Sequence, residues 1–211
     1  MADWVTISAL ATAGGTFALA ATTYASVRSG NKAARTAERS LLAELRPLIV
    51  ESSEQDPSQH VNFVDVPAIT VPGGGATVDL RDGFLYIVIS LRNVGPGIGV
   101  LHGGRMSPEL RSGLNEHGEL DAFRMLTRDI YIPSGKLGFW QIAYREEQRD
   151  ELDELLPGVT RGELAAEVLY GDFEGGQRVI SRFRLLRVED ERWTVSAVRH
   201  WQVDRNEPRY R

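Results

Sequence analysis

The sequence predicts a mainly β protein: an antiparallel β-sandwich, Ig-like in outline, preceded by an N-terminal transmembrane helix and a short amphipathic helix. Three observations predict it. Between residues 47 and 204, seven to nine short runs of branched and aromatic residues recur at regular spacing, bounded by Gly, Pro, Asn or Asp. The strongest run, from Phe84, places Leu85, Ile87, Ile89 and Leu91 on one face and Phe84, Tyr86, Val88, Ser90 and Arg92 on the other. Its first face is core throughout, and its second grades from aromatic to charged. The third observation is that Trp4 to Val27 carries no charge over twenty-four residues. At about 1.5 Å per residue this length crosses a hydrocarbon layer of about 30 Å. The expected division is an anchor over 1–28, a connecting helix over 29–46, a β domain over 47–204 and a polar tail over 205–211.

Composition narrows the function classes. A chain of 211 residues with a 42% hydrophobic fraction can build one sizeable core plus an appendage, and is too apolar for a disordered chain. The net charge of −5 argues against a nucleic-acid binder that works through its overall field. Cysteine is absent, which excludes disulfides, thiolate metal sites and cysteine nucleophiles, and fits a reducing compartment.

The N-terminal segment is rich in Ala and Thr, is interrupted by Gly14-Gly15, and carries Trp4 and Tyr24 near its ends as interfacial aromatics. It is read as a membrane anchor, against two alternatives: a cleaved signal peptide, for which Ala18-Leu19-Ala20 offers a cleavage triplet, and a helix packed in a protein partner. Small residues at Ala11/Gly15 and Gly14/Ala18 would let two such helices approach closely, as in a homodimer. Arg28, Lys32, Arg35 and Arg39 follow the segment, so a spanning helix has its N-terminus outside and the β domain in the cytoplasm. Ser29-Gly30 predicts a break, Asn31 an N-cap, and Asn31 to Leu45 a second helix ended by Pro47. In that helix Ala34, Ala37, Leu41 and Leu45 share one side and the basic residues the other. Such a helix can pack on the next domain, pair in a coiled coil, or lie on anionic headgroups.

Pro47 to Glu51 reads as a first strand. Val61–Val66 and Ala68–Val71 read as edge strands, because Pro67 and Pro72 fit only edges. Asp82-Gly83 predicts a tight hairpin into the central strand. Arg128–Ile132 and Leu137–Tyr144 read as a strand pair around Pro133-Ser-Gly135. Arg145 to Leu156 reads as a surface helix closed by Pro157-Gly158. Glu163–Tyr170, Arg178–Val188 and Trp193–Val203 complete the strands.

Leu45-Arg-Pro-Leu48, Leu91-Arg-Asn-Val-Gly-Pro-Gly97 and Tyr170-Gly-Asp-Phe-Glu-Gly175 together resemble a loose group of uncharacterised bacterial single-pass membrane proteins with a C-terminal β-sandwich domain. The resemblance implies a membrane-anchored domain and carries over no catalytic residues.

Motif tests are mostly exclusions. Gly99 to Gly104 has the spacing of a phosphate loop but continues Arg105-Met106 where Lys and Ser/Thr are needed, and His102 stands where a Rossmann glycine would. No cofactor is implied. The four histidines His60, His102, His117 and His200 lack the short spacing of zinc sites, and the carboxylates of 146–154 form one helix face. Asp172 reads as a turn residue. Arg92 and Asn93, at the end of the central strand, and His102, beyond its glycine loop, are the candidate binding residues; the competing role for Arg92 and Asn93 is bracing the loop. Trp140, Trp193 and Trp201 line a groove or fill the core. The expected function is a membrane-anchored binding or assembly module. The alternatives are an enzyme around Arg92, Asn93 and His102, or an exported soluble protein.

Overall fold

The computed structural model describes residues 3–110, 116–188 and 192–204. The expected polar tail over 205–211 lies outside the described residues. The chain divides into a helical unit ending at Glu44 and a β unit beginning at Leu45.

The helical unit is one uninterrupted helix, α1 (Trp4–Glu44), of 41 residues. The break expected at Ser29-Gly30 is absent. Gly in a helix interior costs only about 1 kcal/mol and Ser less, which neighbouring turns outweigh when no proline intervenes. Polar side chains inside it are satisfied locally: Thr12, Thr16 and Thr36 donate to the carbonyl four residues back, and Thr22 to the one three back. Among the described residues no helix is long and apolar enough to cross a membrane. The expected transmembrane helix is thus corrected to a long helix of marginal apolarity. Its length suffices, but Ala, Thr, Ser and Gly fill most of Trp4–Val27 and dilute the few large apolar side chains.

The β unit contains β1 (Ile49–Glu51), β2 (Gln59–Val61), β3 (Ile69–Val71), β4 (Gly75–Arg81), β5 (Phe84–Asn93), β6 (Gly99–Ser107), β7 (Arg124–Ile132), β8 (Leu137–Tyr144), α2 (Arg149–Arg161), β9 (Glu163–Gly171), β10 (Val179–Arg187) and β11 (Trp193–Gln202). All pairings are antiparallel, as expected, and nine strands form one ladder. β5 organises it. β4 pairs along Phe84–Ile89 and β1 along Leu91–Asn93, while β8 pairs along Leu85–Arg92. A strand has two edges, so β8 takes the edge opposite to β4 and β1. From β4 the ladder continues through β11, β10, β9 and β6 to β7.

The sheet curls so that its halves face each other. The Ile49 amide in β1 donates to the Tyr170 hydroxyl in β9 at 3.2 Å, and the Ala197 amide in β11 donates to the Glu51 carboxylate at 3.0 Å. Leu85, Ile87, Ile89, Leu91, Leu101, Trp140, Phe183 and Leu185 share the enclosed core. The β2–β3 hairpin covers the other face of β5, where Val61, Ile69 and Val71 bury Tyr86 and Val88. This explains why β5 is nearly continuous in apolar residues.

Three local expectations have clear outcomes. Asp82 and Gly83 adopt φ of 54° and 82°, the tight hairpin expected between β4 and β5. α2 does not close at Pro157-Gly158 but runs through Pro157 to Arg161, where Gly162 at φ 79° caps it. Gly158 serves close packing instead, since a Cβ there would stand 2.4 Å from the Pro108 carbonyl oxygen. The strands around Pro133-Ser-Gly135 exist but do not pair with each other: β7 and β8 stand at the two ends of the ladder. The linker between them is tied to the end of β5, with Gly135 donating to the Asn93 carbonyl at 2.8 Å and the Asn93 amide donating to the Lys136 carbonyl at 3.1 Å. That tie delivers β8 to β5 rather than back onto β7.

Gly97 tests this packing. A Cβ there would meet the Leu45 carbonyl oxygen at 1.9 Å, whereas nothing lies near one on Gly83. In chemical denaturation, Gly97→Ala is expected to lower stability by about 3 kcal/mol through overpacking, and Gly83→Ala by about 1 kcal/mol through its positive φ alone.

Candidate functional site

Arg92 and Asn93 end β5, as the sequence places them, but they are committed to internal partners. Arg92 donates from Nε to Asp56 at 3.2 Å and from Nη2 to the other oxygen of the same carboxylate, and also reaches the Gly135 carbonyl at 3.3 Å. The guanidinium holds the Asp56 carboxyl below its ordinary value. Asn93 is fully buried. Its Oδ1 accepts from the Leu48 and Gly95 amides at 3.1 and 3.0 Å, and its Nδ2 donates to the Gly97 and Ile132 carbonyls at 2.6 and 2.9 Å. Both lone pairs and both protons of the amide are used. The side chain therefore braces the glycine loop.

His102 lies elsewhere and shares none of these partners. In β6 the register passes from Leu101 opposite Ile130 to Gly103 opposite Met125, so four residues of β7, Leu126 to Asp129, face His102 alone. This is a pronounced bulge. The half-buried imidazole stands against Gly171, whose added Cβ would lie 3.0 Å from Nε2. Burial lowers its pKa below 6.5, assisted by Arg178 and opposed by Asp129 and Asp172. Asp172 acts as a turn residue by accepting the Glu174 and Gly176 amides at 3.1 and 2.8 Å, while the positive φ angles fall on Gly175 and Gln177.

The feature that can hold a ligand is the gap between β7 and β8. The gap is held at both ends. Near the linker, Ile132 packs on Gly138, where a Cβ would stand 2.5 Å from the isoleucine side chain. At the far end, Nη2 of Arg124 donates to the Ala143 carbonyl, and the guanidinium lies 4.8 Å from the centre of the Tyr144 ring. Between these straps lies a cleft of about 420 Å³. Leu126, Ile130 and Ile142 give it apolar walls, Phe63 roofs it, and Arg128, Arg145 and Glu147 form its rim. Arg145 is fixed by Asp65 at 2.6 and 2.8 Å, and it holds the Asp65 carboxyl well below the usual carboxylate range.

Three residues lining this cleft each carry a buried polar atom without a hydrogen-bond partner: Nη1 of Arg124, Nε1 of Trp140 and Oε1 of Gln141. Two of these atoms are donors and one is an acceptor. Trp140 is wholly buried, its ring seated on Gly104 where a Cβ would collide at 2.5 Å. Residues 140 and 141 point to opposite faces of β8, so a cleft lined by both passes through the sheet rather than lying on one side of it. Trp140 is visible in the sequence as a groove or core residue. Arg124 and Gln141 are not, because nothing local marks a strand whose neighbour in the chain will fail to pair with it.

The β unit thus belongs to the class of mainly β proteins with one curled antiparallel sheet, open along a seam between β7 and β8 and joined between β4 and β11 by two residue pairs. Compared with protein-family models, curated proteins and solved structures, the chain matches none.

Two outcomes follow from the geometry. Asn93→Ala is expected to destabilise the fold by about 3 kcal/mol, read as a lower denaturation midpoint, because it strands four buried backbone groups. For His102 the folded state favours the neutral ring, so the unfolded chain binds the extra proton and stability falls as pH drops below 6.5. His102→Gln should shallow that acid limb, measured as the melting temperature between about pH 7 and 5 relative to the parent chain.

Proposed function

We propose that the β unit is a ligand-binding module whose seat is the cleft between β7 and β8. The observation that carries this is that three residues lining one cleft with apolar walls, Arg124, Trp140 and Gln141, each hold a buried polar atom without a hydrogen-bond partner. Each such atom costs about 1–3 kcal/mol when buried without a partner. Their concentration at one place matches groups kept for a ligand to satisfy. The alternative of an enzyme around Arg92, Asn93 and His102 is less well supported, since the Asn93 amide has no capacity left and Arg92 is committed to Asp56 and the Gly135 carbonyl.

Stability and binding should move in opposite directions at this seat. Replacing the stranded acceptor by an apolar side chain of similar shape, Gln141→Leu, is expected to stabilise the free protein by about 1 kcal/mol. The same change should weaken binding of N-methylacetamide, a minimal amide probe followed through the Trp140 indole N–H resonance. A Gln141→Leu variant that loses stability instead would mean that the acceptor is satisfied within the fold, and the seat would be lost.

We further infer that α1 holds the module at a membrane surface. Its first twenty-four residues from Trp4 are uncharged, and Arg28, Lys32, Arg35 and Arg39 follow within about three turns, a basic cluster suited to anionic headgroups beside an uncharged segment of modest apolarity. The full chain is expected to co-sediment with vesicles rich in anionic lipid, to be released progressively as salt rises from about 0.05 to 0.5 M, and to lose most binding when the four cations are changed to Gln. Recovery of the full chain in the supernatant at low salt would remove this role.

A further inference from the structure

The occupant of the seam can be narrowed from the chemistry of its walls. Arg124 donates to the Ala143 carbonyl from across the gap, so that carbonyl points out of the ladder and into the seam. Main-chain groups of an antiparallel strand alternate between its edges, so Gln141 and Phe139 turn theirs the same way. β8 pairs with β5 over eight consecutive residues without a register shift, so its free edge is regular. The opposing lip is not regular, because β7 bulges at Leu126–Asp129. Among the described residues neither lip pairs with another strand at the seam. An unpaired, regular strand edge inside an apolar cleft is a template for one more strand.

The stranded side-chain atoms select among ligands. A carboxylate would satisfy Nη1 of Arg124 and Nε1 of Trp140 but would set an acceptor against the acceptor Oε1 of Gln141. A cation would do the reverse. A peptide group brings one carbonyl and one N–H, and so meets donors and acceptor together. Resting on the reading of this cleft as a ligand seat, we propose that an extended peptide segment of a partner protein enters the seam as an added strand on β8, pairing with the main-chain groups of Phe139 and Gln141 while the Arg124 and Gln141 side chains bond its remaining amide groups. The apolar walls at Leu126, Ile130 and Phe63 take its alternate side chains.

The test uses the full chain with isotope-labelled backbone and indole groups. The probes are the capped pentapeptide acetyl-Val-Thr-Val-Thr-Val-amide and its fully N-methylated counterpart, which keeps the side chains but cannot pair as a strand. The unmodified peptide is expected to shift the Trp140 indole N–H and, at saturation, to slow hydrogen exchange of the Phe139 and Gln141 amides at least tenfold. The N-methylated peptide is expected to bind at least tenfold more weakly, and Gln141→Leu to weaken the unmodified peptide about tenfold, as loss of one hydrogen bond to a buried group implies. Equal binding of the two peptides, or unchanged exchange at Phe139 and Gln141, overturns the added strand. Exchange already slow at both amides in the peptide-free chain also overturns it, because the chain then closes its own seam. If N-methylacetamide shifts the Trp140 resonance and the pentapeptide does not, the ligand seat stands and the strand is rejected. If neither shifts it, both fall.

Discussion

The end of β5 is held by one amide side chain, and the layout of the β unit follows from it. Asn93 ties the entry to β1, two points of the glycine loop and the end of β7 into one knot. Its main chain meanwhile secures the linker that leads to β8. Backbone must come very close for this to work, which is why residues 95 and 97 have no side chain: a Cβ at either would strike the main chain of residues 45–48. A buried amide with every hydrogen-bonding position filled is rigid and specific. Here it decides that the strand after the linker joins β5, which leaves β7 without it.

The rest of the buried polarity shows how unusual the seam is. Ser52 and Ser90 bond each other at 2.6 Å, and Ser90 also receives Gln59 at 2.8 Å. The Tyr170 hydroxyl accepts from the Ile49 amide and from Ser181 at 3.0 Å, and Ser181 also meets His200 at 2.6 Å. The Glu167 carboxylate in β9 faces Arg182 directly across in β10, bonds its Nε at 2.8 Å, and accepts the Gly118 amide at 3.0 Å. A buried ion pair of this kind is tolerable only when its remaining hydrogen bonds are also met. The fold thus satisfies its buried polar groups at long range in several places, and the stranded atoms of Arg124, Trp140 and Gln141 contrast with that care.

Local chemistry was legible in the chain and long-range pairing was not. The alternation from Phe84 to Arg92, the Asp-Gly hairpin and the strands around Pro133 can be read directly, because two-residue periodicity and turn residues act over short distances. Reading the same strands as neighbours failed, since whether two strands pair depends on where a linker is tied, and that tie comes from Asn93, forty residues earlier. Pro157-Gly158 misled for a related reason. The glycine answers a steric demand from Pro108, distant in sequence, while the helix end belongs to Gly162. In α1 the uncharged run was plain, but absence of charge is a weaker property than apolarity, and alanine and threonine supply the first without much of the second. At the candidate site, Arg92 and Asn93 stood out as polar residues leaving a buried strand, which is also what a brace looks like.

The two edges that flank the cleft, on β7 and β8, belong to strands joined by only four residues. The entropy lost on bringing two points of a chain together grows with the length between them, and here that length is close to its minimum. The two edges therefore stay neighbours whether or not any hydrogen bond forms between them. The cleft between them can therefore widen and narrow only as far as that short tether lets its lips separate.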